Sequence, residues 1–153
     1  MWLPLPRREV FPFFADARNL EAITPPLLRF EIVTQGEIEM RKGALIDYRI
    51  RIRGVPVRWR TRIAAWDPGV RFIDEQIRGP YRLWEHEHTF EDEDGGTRIG
   101  DRVRYKAPGG VIVNALLVQR DLLKIFNYRQ QRIRELLTDT DPTNRAGSQD
   151  PAS

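Results

Sequence analysis

The chain has 153 residues, enough for one domain that buries a hydrophobic core without covalent cross-links. It contains no cysteine, which excludes disulfides, thiolate catalysis and cysteine-ligated metal sites. Its 25 basic and 22 acidic residues are interleaved and leave a formal net charge of +3, an excess too small to require a nucleic acid partner.

The sequence also argues against a membrane or secreted protein. No apolar run reaches the roughly 20 residues that a membrane-spanning helix needs. Residues 1–8 lack the apolar core of a signal peptide. We therefore expect a cytoplasmic protein without membrane insertion.

The N-terminal segment is predicted to contribute a short strand and two small helices. Two prolines limit residues 1–6 to a truncated edge strand. Residues 7–17 predict a helix with its phenylalanines turned inward. Asn19 is expected to cap a second helical turn over 20–23, which the Thr24-Pro25-Pro26 sequence ends.

Between residues 28 and 106 apolar and polar side chains alternate, as expected for antiparallel strands with one wet face. A turn over 54–57 would place Ile52 opposite Trp59 and Tyr48 opposite Ile63. Strands are predicted around 28–33, 46–53, 57–63, 70–78, 82–91 and 97–106.

The last three of these strands are predicted to share an inner face. A turn centred on Glu93-Asp94 would place His86 opposite Asp101. Asp74 joins the same face only if the preceding loop has an odd number of residues, which Gly79-Pro80-Tyr81 allows.

The outer face of the sheet is rich in arginine. The predicted register puts like charges opposite each other, which is unfavourable unless acidic neighbours or an anionic partner relieve them. The opposed residues are Arg49, Arg51 and Arg53 against Arg62, Arg60 and Arg58, and the acidic neighbours are Glu31, Glu75, Glu85 and Glu87. No nucleic-acid-binding motif accompanies these arginines, and we favour a self-neutralised surface.

Residues 109–137 predict one long C-terminal helix, because apolar residues recur there at spacings of three, four and seven. Its apolar stripe is wide and roughly 40 Å long, so it needs a broad curved partner. We predict an α+β fold in which a curved antiparallel sheet of six to seven strands wraps around this helix, with two short helices near the N-terminus. The domain spans 1–137, and residues 138–153, which lack an apolar period, are expected to be disordered.

Several short motifs resemble the START-like, helix-grip superfamily, and within it the bacterial polyketide cyclase/dehydrase or ligand-binding branch. The resemblance covers roughly residues 4–137 and implies a hydrophobic cavity, between sheet and helix, for a small apolar or amphipathic molecule such as a lipid. The superfamily includes carriers and enzymes, so membership leaves the chemistry open. The motifs are Asn19 to Pro25, Phe72 to Gln76 with Gly79-Pro80-Tyr81, Trp84-x-His86-x-His88-x-Phe90, Gly96-Thr97, Asp101-x-Val103-x-Tyr105 and Phe126-x-Tyr128-Arg129.

The strongest candidate site is an inward polar row containing Asp74, His86 and Asp101, since buried ionisable groups are costly unless they are paired. The row is interpreted as a self-satisfied structural network, as the recognition site for a ligand's polar end, or as an acid/base pair. The expected ligand-binding residues are Tyr48, Trp59, Thr61, Phe72, Gln76, Trp84, His88, Tyr105 and Phe126.

The two histidines, His86 and His88, are the only ones in the chain, and their spacing on a strand places both on one face. A metal site usually needs a third protein ligand. Asp74 or Asp101 could serve as that third ligand, but no other cluster of candidate metal ligands stands out in the sequence. We expect neither a metal nor another cofactor.

Three classes of function remain. The leading one is binding or carrying a small hydrophobic ligand. The second is a cyclase, aromatase or dehydratase that uses His86 with Asp74 or Asp101. The third is a protein-interaction module that uses the arginine-rich sheet face.

Overall fold

The computed structural model describes residues 1–109 and 118–138, and shows the predicted α+β architecture. Seven strands form one curved antiparallel sheet with the order β1-β7-β6-β5-β4-β3-β2. The strands are β1 (Trp2–Leu3), β2 (Glu31–Ile32), β3 (Leu45–Ile52), β4 (Val55–Asp67), β5 (Arg71–Arg78), β6 (Leu83–Glu93) and β7 (Gly96–Lys106).

The helices are α1 (Arg7–Ala15), α2 (Asn19–Ala22) and α3 (Gln119–Thr138), with a 3-10 turn at Pro26–Leu28. The predicted element order is confirmed. Asn19 begins α2 rather than capping it, and its side-chain amide donates to the Phe13 carbonyl at 2.8 Å. The predicted first part of the long helix and the predicted disordered tail fall on 110–117 and 139–153, outside the described residues. None of the described helices is both long and apolar enough to cross a membrane.

The register predicted for the β3–β4 hairpin is wrong by an even number of residues. Tyr48 lies opposite Trp59, and Ile52 lies opposite Val55. The connection is a two-residue turn at Arg53 and Gly54, whose φ angles of 52° and 83° match the twist of the flanking strands. Because the error is even, the predicted inner face is nevertheless right.

The β6–β7 hairpin shows the same kind of error. Its two-residue turn is Asp94-Gly95, with φ angles of 48° and 76°, so His88 rather than His86 lies opposite Asp101. The predicted placement of Asp74 on the inner face is confirmed, because Asp74 lies opposite His86. Four residues, 79–82, join the two strands rather than the predicted odd number.

The core closes one end of the space between sheet and helices. Phe90, 1% exposed, lies at its centre and packs edge-on against Phe11 and Phe14 of α1, with ring centroids 5.2 and 5.0 Å away. Ile133 brings the C-terminal half of α3 into this cluster. Leu3, Val10, Ile23, Phe72 and Ile99 complete its buried part.

The outer face of the β3–β4 hairpin carries less like-charge repulsion than predicted. One like-charge pair is present, because Arg49 lies opposite Arg58 rather than the predicted Arg62. The observed register places Arg51 opposite Pro56. The other arginines of the set form ion pairs: Arg53 with Asp121, Arg60 with Asp47 and Arg62 with Glu75. Glu31 lies opposite Arg49, Glu85 opposite Arg104 and Glu87 opposite Arg102. Acidic neighbours therefore neutralise much of this surface, as the sequence predicted.

Replacing Phe90 tests whether this core holds the sheet and α1 together. We expect Phe90→Ala to lower the free energy of unfolding by about 3–5 kcal/mol, because a buried ring is lost and a cavity remains. Leu27→Ala, at a side chain 86% exposed, should change it by less than about 0.5 kcal/mol. Urea titration measures both, and equal effects would contradict the described core.

Candidate functional site: a chamber between sheet and helix

A cavity of about 190 Å³ lies between the inner face of the sheet, the two small helices and the N-terminal half of α3. Leu122, Ile125 and Phe126 of α3 form one wall, and Phe13 and Phe14 of α1 contribute another. The two halves of α3 therefore differ in role: the first lines the chamber and the second packs in the core.

Aromatic side chains form the wall at β3, β4 and β6. The rings of Tyr48 and Trp59 stack with centroids 5.7 Å apart, and Trp84 meets Trp59 edge-on at 5.3 Å. The Thr61 hydroxyl accepts a hydrogen bond from the Trp59 indole at 3.1 Å and lies 3.3 Å from the Tyr48 hydroxyl. Burial raises the pKa of Tyr48, so this hydroxyl is neutral.

Two carboxylates and two imidazoles form the polar part of the site, here called the Asp–His cluster: Asp74, His86, His88 and Asp101. Asp101 Oδ1 lies 2.8 Å from His86 Nε2 and 3.2 Å from His88 Nδ1. Asp74 Oδ2 lies 3.0 Å from His88 Nε2 and 3.6 Å from His86 Nδ1. Each imidazole thus lies between the same two carboxylates.

The environment moves the pKa values of the two histidines in opposite directions. Burial, together with the charge of the neighbouring His88, lowers the pKa of His86 to about 4, and the carboxylates of Asp101 and Asp74 offset only part of this effect. Burial opposes protonation of His88 as well, but the adjacent carboxylates of Asp101 and Asp74 outweigh it and raise the pKa of His88. At neutral pH His86 is therefore neutral.

Both carboxylates stay ionised despite their burial. Burial alone would raise their pKa values, but the histidines hold the pKa of Asp101 well below its usual range and also lower that of Asp74. Arg129 of α3 contributes to the depressed pKa of Asp74 through its charge. A cationic His88 and Arg129 would balance the two carboxylates.

Arg129 lines the chamber, and its guanidinium carbon lies 5.9 Å from the centroid of the Phe126 ring. Arg129 is not among the candidate site residues selected from the sequence. Its spacing could have revealed it, because Arg129 follows Leu122, Ile125 and Phe126 by seven, four and three residues. A cation within an apolar helical stripe faces the same side as its apolar neighbours. Tyr81, which also lines the chamber, was missed too.

Most of the residues selected from the sequence line the chamber. These are Tyr48, Trp59, Thr61, Phe72, Asp74, Trp84, His86, His88 and Phe126. Asp101 lies behind the two histidines rather than in the wall. Whether the wall residues contact a ligand remains a prediction.

Two selected residues, Gln76 and Tyr105, lie outside the wall as the described residues define it. The Gln76 amide donates to the Tyr81 carbonyl at 2.7 Å and accepts from the Tyr81 backbone N–H at 3.2 Å, so it fixes the β5–β6 loop. Tyr105 lies opposite Trp84 on β7, with its ring 6.3 Å away. Both support wall residues.

Among the described residues, Asp74, His86 and His88 form a group with metal-ligand chemistry, each offering one atom within 4.8 Å of the others. The sequence suggested the two histidines but not which carboxylate would approach them. Strand β5 supplies it, because Asp74 lies opposite His86.

The pKa shifts predict that acid weakens the fold through His86. Between pH 6.5 and 4 the unfolded chain protonates His86 but the folded chain does not, so stability should fall by up to about 3 kcal/mol. His88, whose pKa is raised, causes no loss of stability between pH 6.5 and 4. Asp74 and Asp101, whose pKa values are depressed, lower the stability only below about pH 4. The positive charge of Arg129 also lowers the pKa of His86, in the same direction as burial.

Urea unfolding at several pH values in metal-free buffer measures this slope. In His86→Gln, whose amide can still donate to Asp101, the slope between pH 6.5 and 4 should flatten. A wild-type slope in that variant would refute the assignment.

Solved structures show the same fold. Protein Ms6760 from Mycobacterium smegmatis has 21% identity and a TM-score of 0.67, with 92% of this chain and 88% of that chain covered. Ginseng major latex-like protein 151 from Panax ginseng has 11% identity and a TM-score of 0.66, with 90% and 93% covered. A nucleoside-diphosphate sugar epimerase from Corynebacterium glutamicum has 26% identity and a TM-score of 0.64, with 88% of this chain but only 27% of that chain covered.

No curated protein matches this sequence. A family model described as polyketide cyclase / dehydrase and lipid transport matches residues 3–123, which is most of the chain. The match includes strands β2 to β7, the second residue of β1 and both small helices. This chain therefore belongs to the polyketide cyclase/dehydrase and lipid transport family, and has the helix-grip fold.

Proposed function

We propose that this protein binds one small, largely apolar molecule in the chamber, with the molecule's polar group against the Asp–His cluster. The observation that carries the proposal is a cavity of about 190 Å³ whose aromatic and aliphatic wall is interrupted on one side by Asp74, His86, His88 and Arg129. Ligand sites commonly combine an apolar wall with a few polar groups that fix orientation. Membership of a family that includes lipid transport supports the same proposal.

The polar side of the chamber favours a ligand with a hydroxyl or carbonyl group rather than a pure hydrocarbon. Asp74 offers a carboxylate oxygen that accepts hydrogen bonds, and Arg129 offers N–H groups that donate them. A buried polar group without such a partner costs free energy. The ligand's polar end therefore gains most when it lies between Asp74 and Arg129.

The setting we propose is cytoplasmic, with the small molecule as the partner rather than a nucleic acid. The absence of cysteine is compatible with a reducing compartment. The ion pairs Arg60–Asp47 and Arg62–Glu75 reduce the positive charge that a nucleic acid would need.

Filling the chamber tests the proposal. We expect wild-type protein to bind the neutral fluorophore N-phenyl-1-naphthylamine, and Leu122→Trp to weaken binding at least tenfold, because Leu122 lines the cavity. Leu123→Trp is the matched control, since the neighbouring Leu123 is 60% exposed. Fluorescence titration measures affinity, and circular dichroism verifies that both variants fold.

Equal affinities in the two variants would show that the fluorophore binds outside the chamber. Failure of the wild-type protein to bind any apolar probe would contradict ligand binding itself.

A second candidate function is a cyclase, aromatase or dehydratase activity. The observation that favours it is that the site pushes the pKa values of adjacent histidines apart, with ring centroids 3.7 Å from each other. Such a pair can supply a base, His86, and an acid, His88, at the same pH. Asp101, 2.8 Å from His86 Nε2, would hold that ring in one tautomer.

His86→Gln separates carrier from enzyme once native mass spectrometry has identified a copurifying molecule. If His86 is the catalytic base, turnover should fall at least hundredfold with little change in affinity, because general-base catalysis contributes about 10²–10⁴. Loss of binding alone would assign His86 to recognition. Thr89→Ala, on the same strand but outside the chamber wall, should change neither quantity.

A further inference from the structure

We propose that Asp74, His86 and His88 bind one divalent transition-metal ion, such as Zn²⁺, with its open coordination positions toward the chamber. This goes beyond the binding of an apolar molecule and does not depend on it. No metal was expected from the sequence, which left open whether Asp74 or Asp101 would serve as the third ligand. The sheet supplies that ligand, since β5 brings Asp74 opposite His86.

The separations of Asp74 from the two histidine nitrogens suit a shared metal ion, and the ligand atoms of all three residues lie within 4.8 Å of one another. Asp74 Oδ2 lies 3.0 Å from His88 Nε2 and 3.6 Å from His86 Nδ1. Bonds of about 2.0–2.2 Å to nitrogen and oxygen separate neighbouring ligand atoms by roughly 3.0–3.4 Å. Small side-chain shifts would therefore suffice. All three residues line the chamber, which leaves space there for water or another ligand.

Asp101 occupies the position of the outer carboxylate that orients metal-binding histidines. Its Oδ1 atom lies 2.8 Å from His86 Nε2 and 3.2 Å from His88 Nδ1, the ring nitrogens opposite those near Asp74. A proton on each of these nitrogens leaves the lone pairs of His86 Nδ1 and His88 Nε2 for the metal. In the metal complex, Asp101 can thus determine which ring nitrogen carries the proton in both His86 and His88.

The hydrogen bonding of the cluster leaves His88 incompletely satisfied. His88 Nδ1 is buried and has no hydrogen-bond partner among the described residues, although Asp101 Oδ1 lies 3.2 Å away. His86 Nδ1, 3.6 Å from Asp74, is too distant for a hydrogen bond. Metal binding would satisfy His86 Nδ1 directly and would favour a proton on His88 Nδ1, facing Asp101.

Charge and ligand type select the kind of ion. Asp74 and Asp101 carry two negative charges, and a divalent cation bound by the neutral forms of both imidazoles would offset them. Two imidazole nitrogens and one carboxylate oxygen suit Zn²⁺, Fe²⁺, Co²⁺ or Ni²⁺ better than Mg²⁺ or Ca²⁺, which prefer oxygen ligands.

Titration of the full chain with Co²⁺ alone, after treatment with EDTA, tests this site. We expect saturable binding of one Co²⁺ per chain with visible d–d absorption, and displacement by Zn²⁺. His88→Gln should weaken Co²⁺ binding at least hundredfold. Asp101→Asn should weaken it about 10–100-fold, as expected for a residue that orients the ligands. Asp92→Asn, at an exposed carboxylate outside the cluster, should bind as the wild type does.

A second measurement uses the unaltered chain, so that it does not depend on how the variants fold. The chain contains only two histidines, so ¹⁵N-histidine labelling gives signals from His86 and His88 alone. Zn²⁺ should shift ring nitrogens of both residues. Unshifted signals at saturating Zn²⁺, or wild-type Co²⁺ affinity in a folded His88→Gln variant, would overturn the proposal.

Binding of N-phenyl-1-naphthylamine distinguishes this proposal from the preceding one. A chain that binds no Co²⁺ but still takes up the fluorophore would refute the metal site and leave the chamber intact. A chain that binds Co²⁺ but no fluorophore would support the metal site and contradict the apolar ligand.

Discussion

The burial of two imidazoles between two partly buried carboxylates on the inner face of the sheet is the constraint on which the site depends. Charged groups transferred from water into a protein are costly unless opposite charges and hydrogen bonds compensate them. Here Asp74 and Asp101 flank the two imidazoles, and Arg129 approaches from α3. Three adjacent strands must therefore keep their mutual register, because a one-residue slip would turn one partner to the opposite face.

The core lies next to the chamber, and Phe72 belongs to both. Phe90 and Ile133 fill the closed end of the grip, so that the C-terminal half of α3 is held by packing. The N-terminal half of the described helix instead faces the chamber with Leu122, Phe126 and Arg129. One helix thus contributes to the core and to the chamber wall through different turns.

The alternation of apolar and polar residues was sufficient to predict the sheet and its inner face, but not the register. Alternation has a period of two, so errors by an even number of residues leave every side chain on its proper face. The tight turns fix the register. Asp94-Gly95 is a pair that such turns prefer and could have been recognised, whereas Arg53 at positive φ is unusual for its residue type. Contacts between elements, such as Arg129 with the cluster, depend on how α3 crosses the sheet, which local patterns do not encode.

Gln76 shows how a residue outside the cavity can shape it. Its amide bonds twice to the backbone of Tyr81, whose ring meets Trp59 at 5.6 Å and Trp84 at 5.0 Å. Gln76 therefore helps to set the position of Tyr81 in the chamber wall without lining the chamber itself. Exchanging Gln76 would change the shape of the chamber while every wall residue stays the same.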